Sequence, residues 1–71
     1  MANKQTFVVQ AEADTLNATG QPSGDRWEVE AEDVEAATAA VRTELDSDSE
    51  RTGWRIVYAV PLEVWRGWRD A

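Results

Sequence analysis

Chemistry in this chain would have to come from carboxylates, hydroxyls and arginines. The 71 residues contain no histidine and no cysteine. The commonest general base, the commonest metal ligand and the thiolate nucleophile are therefore all missing. A serine nucleophile needs a base beside it. Only a carboxylate, Lys4 or Tyr58 could serve as one here. Ser23, Ser47 and Ser49 each stand among Pro, Gly or Asp, where a hydroxyl ordinarily holds a turn. Fourteen acids are present. Paired carboxylates do acid–base work only where a cleft drives their pKa values apart, and a domain this small has little room for a cleft of its own. These residues predict no enzyme, no catalytic residue, no cofactor and no small-molecule substrate.

Asp46-Ser47-Asp48-Ser49-Glu50 resembles the first half of an EF-hand calcium loop. The second half departs from that family. Arg51 stands at the sixth position in place of glycine, and Val57 at the twelfth in place of the bidentate glutamate. A polar turn that ends a helix is the expectation, with no metal. Gly20 and Gly24 flank a Pro-Ser turn and do not open a helix after a strand, so a phosphate loop is not predicted either.

Binding is the remaining chemistry, and two surfaces are candidates. Residues 28–50 carry nine acids against the single base Arg42, within a chain of net charge −7. Glu28, Glu30 and Glu32 alternate along a strand-like run, and Asp33 and Glu35 follow. An acidic face built on Glu28, Glu30, Glu32 and Glu35 would steer and fit a basic partner. Carboxylates on every second strand residue lie about 7 Å apart, near the phosphate spacing along one DNA strand. Nucleic-acid mimicry is one version of that reading; plain solubilising charge is the competing one. The second surface is aromatic and basic: Trp65, Arg66, Trp68 and Arg69 near the end, with Val57. Tryptophan and arginine are the residue types enriched at binding hot spots. The competing reading is that both tryptophans cover a small core that needs every large apolar side chain.

The elements that must position these residues follow from periodicity. Residues 5–12 alternate, with Phe7, Val9 and Ala11 on one face and Val8, Gln10 and Glu12 on the other. Residues 26–31 do the same, with Trp27, Val29 and Ala31 opposed to Glu28 and Glu30. A strand that shows water a row of glutamates implies a sheet with one wet face. The turn-rich stretch 14–25 between them predicts a long, mobile hairpin loop. Asp33 can cap a helix over residues 34–45, with Val34, Ala37, Val41 and Leu45 on one stripe. Residues 53–60 predict a third strand opened by Gly53, with Trp54, Ile56, Tyr58 and Val60 on one face. The C-terminal extension 61–71 admits two readings. The strand could run on past Pro61, which would place Trp65 with Val8, Val57 and Ala59 in an apolar strip. A short helix from Pro61 could instead gather Leu62, Trp65 and Trp68.

The predicted architecture is one α+β domain of order β-β-α-β(-β). A single helix packs on a three- to four-stranded, mostly antiparallel sheet. If the third strand joins beside the first, the strand order is 2-1-3. The element order resembles that of a β-grasp, ubiquitin-like core, in order alone. A chain this short gains little stability from its core, and without disulfides a partner or a second copy of itself is the remaining staple. The polar start and the lack of a long apolar run predict a cytoplasmic protein with no membrane span. Rich in alanine, threonine and aspartate, with one lysine to six arginines, the composition is common in GC-rich genomes, their phages and salt-loving organisms. The expected function is a non-enzymatic protein–protein interaction module, a small acidic regulator or inhibitor of a basic partner. One alternative is a self-associating structural subunit, such as a phage-encoded accessory protein or a homodimer. Another is a single-stranded nucleic-acid binder using the C-terminal Trp/Arg cluster, against which the net charge argues.

Overall fold

The computed structural model describes residues 4–70; residues 1–3, in the polar start, and Ala71, at the end of the predicted extension, lie outside it. The order is β1 (Gln5–Leu16), β2 (Pro22–Ala31), α1 (Val34–Ser47), a single 3₁₀ turn (Ser49–Arg51), β3 (Arg55–Pro61) and α2 (Leu62–Asp70). The strands form one sheet of order β2-β1-β3, and β1 pairs antiparallel with both neighbours. The chain is therefore a small α+β unit. No helix among the described residues is long and apolar enough to cross a membrane.

β1 is the central strand and carries most of the buried sheet residues. Phe7, Val9 and Ala11 on one face, and Val8 on the other, are all buried. Since β2 and β3 both run antiparallel to β1, they run parallel to each other, and joining them needs a crossover long enough for a helix. α1 supplies it. Asp33 caps its start: the carboxylate accepts from the Ala36 N–H at 2.8 Å, satisfying one of the four free N–H groups of a first turn. Ala37, Val41 and Leu45 of α1 then pack on Phe7, Val9, Ala11 and Ala31, with Trp27, Val29, Trp54, Ile56 and Ala59 at the margin. Val34, predicted to share that stripe, stays 41% exposed. It opens the first turn, before the helix has reached the sheet.

Three further expectations are corrected. The first is the long hairpin loop: β1 continues to Leu16 and β2 begins at Pro22, so only residues 17–21 connect them. Asn17 organises the connection. Its carbonyl accepts from the Gly20 N–H at 3.0 Å, and its side-chain oxygen accepts from the Thr19 N–H and hydroxyl and from the Gln21 N–H. The Asn17 N–H donates to the Gln21 carbonyl at 2.8 Å, which leaves 18–20 as a three-residue loop, and Gly20 at φ +82° is its left-handed residue. Two extra β1 residues between Glu12 and Leu16 absorb the irregular register. Ser23, read from sequence as a turn residue, accordingly lies in β2.

The second correction concerns β3. It opens at Arg55, because residues 51–54 form a turn: the Trp54 N–H donates to the Arg51 carbonyl at 3.2 Å. Thr52 at φ −60°, ψ 132° and Gly53 at φ +85° give that turn type II geometry, which wants glycine at its third position. Further along, Gln10 pairs with Tyr58 but Ala11 with Ile56, so Val57 is an unpaired bulge residue. The bulge inverts the alternation. Ile56 and Ala59 face α1, whereas Tyr58 and Val60 face the other side, separated from Trp54 and Ile56.

The third concerns the C-terminal extension, where of the two readings the short helix, α2, holds and the fourth strand does not. It lies on the face opposite α1, against β1 and β3. The sheet therefore has helices on both sides, and its second face is only partly wet. Val8, opposite Glu28 and Val60 on that face, is 0% exposed.

Candidate interaction surface

α2 is nine residues long, too short to persist alone in water. Pro61 ends β3, where the missing N–H does no harm, and turns the chain back over the sheet. Leu62 and Trp65, three residues apart, are partly buried. The Arg26 guanidinium, projecting from the same side of β2, lies 4.5 Å from the Trp65 ring centre, and that of Arg69 lies 5.0 Å from it. On the β3 side the Trp68 ring meets Tyr58 edge-on, centroids 5.6 Å apart, a favoured aromatic geometry. Trp68 nevertheless stays 55% exposed, and Val64, one helical turn earlier, 43%. Val57 at the bulge is 49% exposed.

Between α2 and β2 runs a groove of about 330 Å³, lined by Arg26, Glu28, Leu62, Trp65, Arg66 and Arg69. It joins the two surfaces that the sequence kept apart. Trp65, Arg66 and Arg69 stand beside Glu28, and Glu30 follows on the same exposed edge of β2. Trp65 does not join the predicted strip with Val57 and Ala59: it sits on a helix, and Ala59 faces α1. Val57 lies on the edge strand β3 beside Tyr58, and does not line the groove. Of the other predicted acidic residues, Glu32 is exposed in the link after β2, and Glu35 is in the first turn of α1 on the opposite side of the sheet. Sequence reasoning missed Arg26 and Tyr58 as members of this surface. Arg26 was legible, since it alternates with Trp27 and so shares a face with Glu28. Tyr58 was hidden by the bulge.

A second polar cluster closes the far end of α1. The Asp48 side chain accepts from the Glu50 N–H at 2.9 Å, starting the 3₁₀ turn. Arg51 donates to both Asp25, at 3.1 and 2.6 Å, and Asp48. Its guanidinium also lies 5.8 Å from the Trp27 ring centre and 5.4 Å from that of Trp54. The Glu50 N–H, and after it Arg51, hold the Asp48 carboxyl below its ordinary value of 3.8. Asp25, and after it Asp48, push the guanidinium of Arg51 up. The Trp27 indole N–H donates to Glu44 at 2.9 Å. Every group here is answered by a neighbour, so the cluster pins the α1–β3 connection onto β2. Asp46 and Ser47 thus complete α1, two residues beyond the predicted end at 45, and Asp48 to Arg51 form the clasp.

No family model matches this chain, and neither a curated protein nor a solved structure matches it significantly.

Proposed function

We propose that this chain is a non-enzymatic protein-binding module, a small acidic regulator or inhibitor, and that its contact surface is the α2 side of the sheet. The observation that carries this reading is Trp68. It is more than half exposed although a core of this size has use for every tryptophan. Val64, one helical turn earlier, is exposed with it, and Tyr58 backs it. Large aromatic anchors with apolar and charged surroundings are what protein interfaces use. Glu28 and Glu30 border the same face, so a basic rim on the partner would meet them, while the remaining acids speed encounter. The self-associating alternative draws on β3, which is a sheet edge with exposed Val57. The bulge at Val57 and the charge of Arg55 blunt that edge against strand pairing.

The test is cross-linked capture from the source cells with the wild-type chain, Trp68→Ala, and Glu28→Lys/Glu30→Lys. One protein recovered by wild type, lost with Trp68→Ala and reduced with the lysine pair is the expected outcome. Equal recovery by Trp68→Ala removes the α2 surface from the proposal.

A further inference from the structure

Three of the six arginines in the chain line one groove, and the groove gives them little to bind. Among the described residues, Arg26 and Arg66 have no carboxylate within ion-pair distance, and Arg69 reaches only its neighbour Asp70 at 3.8 Å. Glu28 lines the same groove without closing an ion pair with any of the three. The contrast is Arg51, which holds two carboxylates. The chain has 14 acids to seven bases, so these guanidiniums are not free for want of carboxylates in the sequence. Two of them lie over the Trp65 ring, a contact that favours one orientation and lowers the side-chain entropy lost when an anion arrives. Leu62 and Trp65 supply an apolar wall beside them.

We infer that this groove is a carboxylate-binding site that takes an acidic side chain of the protein partner, flanked by an apolar residue on the Leu62–Trp65 wall. The inference rests on the protein-binding reading and names the chemistry the partner presents. Guanidinium forks match a carboxylate with two parallel N–H···O bonds. The charge balance selects the class of ligand. Three arginines against Glu28 leave the groove with a modest positive charge, enough for one or two carboxylates. A polyphosphate strand would run onto Glu28, Glu30 and the rest of an acidic surface, and its affinity depends on many phosphate contacts at once.

The test uses the full-length ¹⁵N-labelled chain and three probes: acetyl-Leu-Glu-Leu-Glu-Leu-amide, the same peptide with Gln for Glu, and single-stranded oligothymidine. The readouts are the arginine Nε–H and tryptophan indole N–H resonances. The Glu peptide is expected to give saturable shifts at Arg26, Arg66, Arg69 and Trp65, and not at Arg51. Arg66→Gln/Arg69→Gln should weaken it at least about tenfold, as for lost hydrogen bonds to a charged group. Both replaced side chains are exposed, and an unchanged Tyr58–Trp68 ring contact verifies the fold. Equal shifts with the Gln peptide, no saturable shift, or tighter binding of oligothymidine would each overturn the assignment. Failure here is separable from failure of the module itself. If the captured partner is lost with Trp68→Ala but held by Arg66→Gln/Arg69→Gln, the module stands and the carboxylate site falls.

Discussion

Arginine is the residue whose placement divides this molecule into a part that is finished and a part that is open. Arg51 is held by Asp25, Asp48 and two indole rings, and its role is to hold the chain between α1 and β3. Arg26, Arg66 and Arg69 gather at Trp65 with free hydrogen-bonding capacity. The finished part has a pH signature. Asp48 has a folded-state pKa below its ordinary 3.8, because the Glu50 N–H and then Arg51 favour the carboxylate. A carboxyl depressed on folding contributes stability that is present above its unfolded pKa. That stability is lost as pH falls through the folded value. Thermal melts of Asp48→Asn should show lower stability than wild type near neutral pH and a smaller loss as pH falls below about 4. An identical acid profile in the two proteins would mean that the carboxylate is not held this way. Because the pair is partly open to water, added salt should narrow the difference between them.

At the scale of elements, the faces of β1 and β2 and the helix α1 were legible because each rests on an unbroken periodicity. Phe7, Val9 and Ala11 meet Ala37, Val41 and Leu45 as the two patterns require. The remainder was lost at irregularities that periodicity does not register. One unpaired residue, Val57, turns Tyr58 and Val60 to the other face. Turn-forming residues such as Pro22, Ser23 and Gly24 are carried into β2 by pairing with β1 and by the side chain of Asn17. α2 was one of two readings, and the arbitrating signal was Val8. A fully buried valine on the supposed wet face requires a cover, and the segment after Pro61 is the element placed to provide it. Val8→Ala should therefore cost about 2 kcal/mol, counting two lost methyl groups and the space they leave. A valine on an open sheet face would lose only a few tenths. Urea titration of the two proteins measures the difference, and a value near zero would deny that α2 seals this face.

On the scale of the whole molecule, the sheet is a divider. One side holds the core under α1. The other carries a short helix that leaves Trp68 in water, three arginines around Trp65, and the glutamates of β2. The candidate contact surface was half legible, since its Trp, Arg and Glu residues stand out in the sequence. Their meeting on one face was not, because it depends on α2 folding back over the sheet. The functional reading depends on the same docking. A two-dimensional NOE spectrum tests it most directly. Cross-peaks between the Tyr58 and Trp68 rings are expected, given centroids 5.6 Å apart in an edge-on arrangement. Their absence, in a chain that still shows the contacts of Phe7 with Val41 beneath α1, would place α2 away from the sheet and contradict the account.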